Sequence, residues 1–416
     1  MMTQAYYTGI SGLKSSSDSI DVVSNNIANV NTTGFRSYDA EFASLFETSM
    51  AETNAMDDDI GKGVRIQSTS MNTEQGSIVL TDKNTDLAIQ GEGWFAVQGN
   101  NDPMYTRDGA FVFDVNDDLV TTDGMYVLGT VGNNIGDGDI LTEKLDKVEL
   151  TSVSTQEKLR FPKTLTYPAK PTTEAKFMAN LGSGYDPVTI GARVIDPQDN
   201  ENHLKLEFRK REKQVSPGSQ YDVVATIQSP DGKEIYNSVS GEATFDSAGA
   251  LVSTTLTTID NNGVDVAIDL GSGFDGIVAI DTHEVVPGSS IANGTVGGDL
   301  VGYSINKDAE VIATFTNGEQ SSVGKIAVYH FQNDQGLERI SGTRFQESSN
   351  SGKAIFYTDS NGKIVNGTNI TNFALENSNV ELTNGLTELI ILQRSFDANS
   401  KSITTADQMI QKALDM

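Results

Sequence analysis

Apolar residues near both ends of the chain recur with the spacing of a coiled coil. Toward the N-terminus an apolar residue stands at every seventh position, at Tyr6, Leu13, Ile20 and Ile27. Toward the C-terminus the same spacing continues through Leu382, Leu389, Phe396, Ile403 and Ile410. A repeat near 3.5 residues places such positions along one side of a helix. We therefore predict two terminal helices that pair along an apolar seam formed by Leu13, Ile20, Ile27 and the five C-terminal positions.

Proline placement and capping residues support these two helices. Every proline lies between Pro103 and Pro287, so both ends of the chain can carry long helices. Ser378 and Glu381 have capping-box spacing before the second helix, and Gly34 supplies a stop after the first. Gly residues in the first helix each cost about 1 kcal/mol relative to Ala, so this helix should need a packing partner. An ordinary amphipathic helix on a globular core is the alternative for either helix taken alone.

Between the helices, short alternating runs separated by turn dipeptides predict β-strands. The run from His203 to Phe208 alternates polar and apolar residues, and Asp108-Gly and Asp231-Gly are typical hairpin turns. Composition changes near residues 145 and 294–298 indicate an inserted unit. We predict a mainly β fold with α-helical termini that pair as a coiled coil, in which a discontinuous β domain carries a second, inserted β domain. The predicted division is 1–30 and 371–416 for the helices, 31–74 and 358–370 for connecting segments, 75–145 and 291–357 for the discontinuous β domain, and 146–290 for the inserted β domain.

Composition excludes several classes of partner and site. The chain has 57 acidic and 29 basic residues, a net charge of −28, which would repel nucleic acid and anionic membranes. It has no cysteine, and its three histidines, His203, His283 and His330, lack the short spacing of a zinc site. There is no apolar run of membrane-spanning length and no segment typical of a cleaved signal peptide. We therefore expect no cofactor, no metal and no membrane insertion, with either a cytoplasmic location or export without a cleaved signal.

Candidate catalytic chemistry is weak. Asp114–Asp118 begins like a calcium loop, but Leu119 and Met125 occupy positions that would need Gly and Glu, so a hairpin turn is predicted. The acidic run Asp57–Asp59 is interpreted as a solvated loop. No catalytic residue is predicted. A secreted β-rich enzyme or adhesin stays an alternative, because an acid pair can always be found among 57 carboxylates.

Three stretches of sequence resemble one known family. They are Ser24-Asn-Asn-Ile-Ala-Asn-Val-Asn-Thr-Thr-Gly-Phe35, Gly91-Glu-Gly-Trp-Phe-Ala-Val97 with Tyr105-Thr-Arg-Asp-Gly-Ala-Phe111, and Gln393-Arg-Ser-Phe-Asp-Ala-Asn399. In kind and in order they resemble the rod and hook axial proteins of the bacterial flagellum. On this resemblance the signature residues are Asn25, Asn26, Asn29, Thr33, Gly34, Phe35, Gln393, Arg394 and Asn399.

The resemblance implies a structural role rather than an enzymatic one. The chain is longer than the distal rod member of the family, and its insert is similar to the outer domain of the hook members. The resemblance therefore implies a subunit of a curved helical tube, a flexible universal joint that transmits torque from motor and rod to filament. Implied partners are further copies of the chain, the distal rod protein, the hook cap protein, the hook–filament junction protein and the flagellar type III export apparatus. An extracellular location at the hook and basal body follows, and another axial component, such as a distal-rod-like protein, is the alternative.

Overall fold

The computed structural model describes residues 2–45, 63–99, 101–214, 216–281 and 288–415, with side chains from residue 6 onward. Two long helices, α1 (Met2–Ala28) and α2 (Leu382–Leu414), flank a body made of β-strands. The predicted fold class, mainly β with α-helical termini, is confirmed. The acidic run 57–59 and His283 lie outside the described residues, so their interpretation stays a prediction.

The strands fall into three successive groups along the chain. Those before the insert are β1 (Tyr38–Ser44), β2 (Val64–Met71), β3 (Ile78–Leu80), β4 (Leu87–Gln90), β5 (Trp94–Gln98), β6 (Met104–Thr106), β7 (Phe111–Phe113), β8 (Leu119–Thr121), β9 (Tyr126–Val131), β10 (Ile135–Gly136), β11 (Ile140–Leu141), β12 (Glu157–Lys158) and β13 (Thr166–Tyr167). The inserted strands are β14 (Glu174–Asn180), β15 (Val188–Ile195), β16 (Glu201–Lys210), β17 (Ser219–Gln228), β18 (Ile235–Phe245), β19 (Leu251–Thr254), β20 (Thr258–Asn261), β21 (Val264–Asp269), β22 (Gly271–Ser272), β23 (Asp275–Val278) and β24 (Ser289–Ala292). The returning strands are β25 (Gly298–Ile305), β26 (Glu310–Phe315), β27 (Gln320–Ile326), β28 (Val328–Tyr329), β29 (Glu338–Ser341), β30 (Arg344–Gln346), β31 (Tyr357–Thr358), β32 (Ile364–Val365), β33 (Asn369–Asn372) and β34 (Ala374–Glu376).

The insert is built from two sheets that share one apolar core. One sheet has the order β15-β16-β17-β18-β19, and the other has the order β20-β21-β14-β23-β22 with β24 beside β14. Side chains alternate across a strand, so Leu204, Leu206 and Phe208 of β16 are fully buried while their neighbours face outward. The apolar positions of the alternating run His203–Phe208 therefore form part of this core.

The strands outside the insert form what we call the body, and its largest sheet is the body sheet. The insert leaves this sheet after β13 and returns at β25, and these two strands pair with each other. Its order is β10-β11-β13-β25-β26-β27-β9-β5-β6-β30-β29, and Thr166 of β13 lies opposite Asp299 of β25. The strands β12 and β13 lie beyond residue 145 yet belong to this sheet. The strand β33 begins in the expected connecting segment 358–370, continues to Asn372 beyond it, and pairs with β4. The composition change near residue 145 therefore falls inside one sheet, because the charged stretch there is a loop between β11 and β12.

The two faces of the body sheet bury different side chains. One face holds aliphatic and Phe side chains such as Phe95, Phe111 and Val311. The other face buries Trp94 and Tyr105 and extends to Met71 at the end of the β1–β2 hairpin. This second face is where the segments leading to both helices meet the body. Among the described residues, no helix combines the length and apolar character required to cross a membrane.

Candidate functional site: the helix pair and its junction with the body

The two helices run antiparallel and approach each other closely through small residues. A Cβ atom on Gly9 would lie 2.8 Å from Cγ1 of Ile403, and one on Gly12 would lie 2.7 Å from Nδ2 of Asn399. Further along, the hydroxyls of Ser16 and Ser395 are 3.4 Å apart. The missing side chains of the glycines thus create the space that α2 fills.

The predicted seam residues lie along this interface to different degrees. Ile403 packs against Gly9, and Ile27 packs against Gly385. The other half-buried members are Leu13, Ile20, Leu389, Phe396 and Ile410. Leu382 is 46% exposed at the start of α2. The helix side chains with less than a tenth of their surface exposed are Ser15, Ser16, Ser19, Val23 and Asn26 of α1 with Leu392 and Ala406 of α2.

Both helix ends differ in detail from the expected caps. The capping box at Ser378–Glu381 is wrong: α2 begins at Leu382 after Glu381, and no side-chain cap is formed there. The Ser378 hydroxyl accepts instead from the Val380 N–H at 3.3 Å, which is a local turn. The helix α1 ends at Ala28, and its last turn is followed by a side-chain bond in which Asn29 Nδ2 donates to Asn25 Oδ1 at 3.0 Å.

Part of the apolar surface of the helix pair is left uncovered by the residues that the structure describes. Leu386 is 45% exposed, Ile390 53% and Ile391 61% on α2. On α1, Tyr7 is 69% exposed and Ile10 42%. An apolar surface concentrated on one element is typical of an interaction site.

Asn26 and Gly34 fix the path of the chain as it leaves α1. The Asn26 amide donates to Tyr38 O at 2.7 Å and accepts from Tyr38 N–H at 3.0 Å, so one side chain holds the start of β1. Gly34 has φ +67°, and a Cβ there would lie 2.5 Å from the backbone nitrogen of Asp108. The exit loop therefore lies directly on the body, with Phe35 buried 5.2 Å beneath the guanidinium of Arg339.

A buried ion cluster lies where the two chain ends meet the body. Arg36 Nη2 lies 2.9 Å from Oε1 of Glu376, and Arg107 Nε lies 3.7 Å from its Oε2. All three side chains are at most 4% exposed. Burial lowers the pKa of Arg36 and lowers that of Arg107 to about 10, while Glu376 opposes both shifts. Removing one partner from a buried pair typically costs about 3–5 kcal/mol, so this cluster is a strong determinant of the junction.

Asn379 closes the junction from the α2 side. Its Oδ1 accepts from the Ser37 N–H at 2.7 Å, and its Nδ2 donates to the carbonyls of Asn72 at 3.1 Å and Glu74 at 2.9 Å. One side chain therefore joins the segment after α1, the segment after β2 and the segment before α2.

The remaining signature residues do not form a single site. Gln393 and Arg394 are exposed on α2, whereas Asn399 faces Gly12 across the helix pair. Thr33 is half-buried in the exit loop. We expect Gln393, Arg394 and Asn399 to register neighbouring subunits and Thr33 to help fix the exit from α1, and both roles stay predictions.

Two titratable side chains outside the junction, Asp114 and His330, are hydrogen-bonded to the backbone. Asp114 accepts from the N–H groups of Asn116 and Asp118, at 2.7 and 3.0 Å, in the turn between β7 and β8. The ring of His330 is buried, with Nε2 2.6 Å from Asn366 O, and burial lowers its pKa. In the part of the chain that the structure describes, no group of three or more acidic or histidine side chains is placed to hold a metal ion.

Comparison with known proteins decides the family. Residues 7–36 match the profile described as flagella basal body rod protein, residues 88–158 that of the flagellar hook protein FlgE/F/G D1 domain, and residues 372–416 that of the flagellar basal body rod FlgEFG protein C-terminal. The flagellar hook protein FlgE of Escherichia coli is 28% identical over 444 residues, covering 99% of this chain and 100% of the relative. The chain belongs to the flagellar hook and rod protein family. Members of this family are structural proteins, and the chain is not an enzyme.

Other members of the family give the same picture. FlgE of Borreliella burgdorferi is 28% identical, covering 99% of both chains, and FlgE of Treponema pallidum is 27% identical, covering 100% of both. The crystal structure of Helicobacter pylori flagellar hook protein FlgE2 has a TM-score of 0.53 at 17% identity, covering 72% of this chain and 100% of that one. This last likeness concerns the fold alone.

The sequence reasoning missed the ion cluster at the junction. Arg107 lies within the Tyr105–Phe111 motif that carried the family resemblance, but nothing local marked it as a buried charge. Arg36 follows Phe35 directly, and its carboxylate partner is 340 residues away. The available signal was an arginine directly after the first motif and another within Tyr105–Phe111, since arginine is rarely buried without a paired acid.

Proposed function

We propose that the chain is a structural subunit of the bacterial flagellar hook. It polymerises into a curved helical tube that acts as a flexible universal joint and transmits torque from motor and rod to filament. The observation that carries this proposal is the 28% identity to a hook protein along 99% of the chain, which includes the insert.

The exposed apolar surface of the helix pair supports assembly through the helices. Fully burying one Leu or Ile is worth about 1.5–3 kcal/mol, so contacts through Leu386, Ile390 and Ile391 would stabilise a polymer strongly. In this proposal the seam residues and this surface form an inner tube. Such contacts are heterologous and do not close, which produces a helical filament rather than a ring.

Charge supports an outward position for the body and the insert. Residues 1–30 carry one base and two acids, and residues 371–416 carry three bases and six acids, so most of the net charge of −28 lies between them. Acidic surfaces favour polar, hydrated contacts that slide over small distances as the tube bends. The helical inner tube keeps continuity, and the β units adjust around it.

We further propose the neighbours and the location of the subunit. The distal rod protein lies on one side of the hook and the hook–filament junction protein on the other, with the hook cap protein present during growth. The chain leaves the cell through the flagellar type III export apparatus without a cleaved signal peptide. The absence of cysteine suits a chain that must pass unfolded through a narrow channel before it works outside the cell.

A rod-like axial component is the second candidate. It is favoured by the two profiles at residues 7–36 and 372–416, which are named for basal body rod proteins. Electron microscopy of cells that lack the gene, and of the same cells complemented with it, distinguishes the candidates. Missing hooks that return as curved tubes on complementation support the hook subunit. A missing rod, or a short straight assembly, would instead support the rod-like component.

A further inference from the structure

The ion cluster of Arg36, Glu376 and Arg107 connects three parts of the chain that are far apart in sequence. Arg36 follows α1, Glu376 precedes α2, and Arg107 belongs to the body. We infer that Glu376 is a tether whose carboxylate, added to the hydrogen bonds of Asn26 and Asn379, sets the orientation of the helix pair on the β body. The inference rests on the proposed function, because torque passes between inner tube and outer domains only if this orientation is held.

Glu376 is the strongest electrostatic partner of both arginines, and Asp334 acts on both more weakly. Its Oε1 lies 2.9 Å from Arg36 Nη2 and its Oε2 lies 3.7 Å from Arg107 Nε. These are the ion pairs that the described residues form with the two buried guanidiniums. A single carboxylate therefore offsets one cation from a chain end and one from the body.

Each member of the cluster is also held in direction by the backbone. Oε1 of Glu376 accepts from the Gly76 N–H at 2.9 Å, and the Glu376 carbonyl accepts from the Gly34 N–H at 2.7 Å. Arg36 donates to the carbonyl of Glu74, and Arg107 donates to that of Gly91. Hydrogen bonds to a planar guanidinium define angles as well as distances, whereas apolar contact has no preferred direction.

A polar cavity beside the cluster shows that packing alone does not hold Arg107. The cavity measures about 310 Å³ and is lined by Arg36, Arg107, Trp94, Glu92 and Asp334, among others. Arg107 Nη1 has no hydrogen-bond partner among the described residues. The guanidinium is thus held by Glu376 and by the Gly91 carbonyl, while its Nη1 faces the cavity. Loss of the carboxylate would leave room for the guanidinium to move.

A distance measurement across the junction tests the tether. The natural chain has no cysteine, so spin labels can be placed at Ser154→Cys on the body and Ser402→Cys on α2. Labelled chains are diluted with unlabelled chains, assembled into tubes and measured by pulsed electron paramagnetic resonance. We expect one narrow distance peak in the parent and loss of that peak in Glu376→Gln. The control Glu319→Gln, which removes an exposed ion pair with Lys144 at 2.7 Å, should keep the peak.

A second variant distinguishes loss of the tether from unfolding caused by an unpaired buried charge. Arg36→Met, Arg107→Met and Glu376→Met together remove every charge of the cluster, so no buried ion is left unpaired. This triple variant should melt at a higher temperature than Glu376→Gln and still lack the narrow peak. An unchanged narrow peak in either variant would overturn the tether and leave the proposed function standing. If the parent chain forms no tubes, the proposed function fails, and the tether fails with it.

Discussion

At the scale of single residues, Gly34 shows how closely the exit from α1 lies on the body. Its φ of +67° is a conformation that costs other residues about 1–2 kcal/mol. A Cβ there would also meet the backbone nitrogen of Asp108 at 2.5 Å, and backbone cannot move aside as a flexible side chain can. The position therefore combines conformational strain with a collision.

Gly34→Ala should destabilise the chain by more than the strain alone. The matched control is Gly124→Ala, where φ is +84° but no atom lies within 4 Å of the added Cβ. We expect Gly124→Ala to cost about 1–2 kcal/mol and Gly34→Ala distinctly more. Urea unfolding of both variants measures the difference, and equal costs would show that the loop relaxes away from Asp108.

His330 gives stability a pH dependence with a defined sign. Burial lowers the pKa of the folded state below the ordinary value of 6.5, although the bond to Asn366 O opposes the shift. As the pH falls below about 6.5, His330 takes up a proton in the unfolded chain before it does so in the folded chain. The free energy of unfolding therefore decreases as the pH decreases. One proton contributes at most about 1.4 kcal/mol per pH unit.

Thermal melts at pH 7.5 and pH 5.5 test this dependence. His330→Gln keeps a polar group near Asn366 but cannot titrate, so its melting temperature should change less between the two values than that of the parent. The same decrease in both proteins would assign the pH dependence to other groups.

At the scale of elements, the glycines of α1 lower its intrinsic helix propensity but allow α2 to pack closely against it. Gly9→Ala should make an isolated peptide of residues 1–30 more helical, by about 1 kcal/mol at that position. In the whole chain the new Cβ would lie 2.8 Å from Ile403 Cγ1, so the pairing of α1 with α2 should weaken. Circular dichroism of the peptide and hydrogen exchange of the chain should therefore change in opposite directions.

Ser24→Ala is the matched control, because Ser24 is exposed on α1. It should raise helicity in the peptide without faster exchange in the chain. If hydrogen exchange in the Gly9→Ala chain were slower than in the parent chain, the close approach of the helices would be refuted.

The helices and the apolar part of their contact were predictable from sequence, and the small residues in the contact were not. Periodicity and the absence of proline are local signals, so both helices were predicted, although α2 begins at Leu382 rather than near residue 371, where β33 and β34 lie. The contact face of α1 includes Gly9, Gly12 and Ser16, which carry no hydrophobic signal. Small residues act here by permitting close approach, and only the partner helix reveals that they do.

The junction was predictable only in part. Asn26, Gly34 and Phe35 were singled out through the family motif, and each contacts the start of β1 or the body. The pairing of Arg36 with Glu376 depends on two strands, β3 and β34, that meet across some 300 residues of chain. Long-range register of this kind has no local signature.

At the scale of the whole molecule, the unpartnered surface of α2 should govern assembly without governing folding. Ile390 is 53% exposed, so Ile390→Asp should change the unfolding free energy by only about 0.5 kcal/mol. In a polymer the same carboxylate would be buried without a partner, at a cost of several kcal/mol per subunit. We expect Ile390→Asp to stay monomeric and Ile390→Val to assemble normally, as measured by sedimentation and electron microscopy. Tubes formed by the Asp variant would show that this face stays in solvent.

The insert should be removable without loss of the body. The Thr173 N–H donates to Asn293 Oδ1 at 2.9 Å, so the two ends of the insert lie side by side. Replacing residues 174–292 by a short Gly-Ser linker should leave a folded body and an intact helix pair. We expect tubes of altered curvature, because the deletion would remove the outermost lateral contacts between subunits, and electron microscopy of cells with the deletion decides this. Wild-type curvature, or a folded variant that cannot assemble, would contradict the assignment of curvature to the insert.

The antiparallel pairing of α1 with α2 also has a consequence for the order of events during synthesis and export. The contacts between α1 and α2 join positions almost the whole length of the chain apart: Gly9 packs against Ile403, and Ser16 lies beside Ser395, 379 residues away, so these contacts can form only late in folding. The helix α1 must wait, without its partner, until α2 has emerged. A chain broken off before α2 can complete its β units and still lack the helix pair, so the pairing acts as proofreading for full-length subunits.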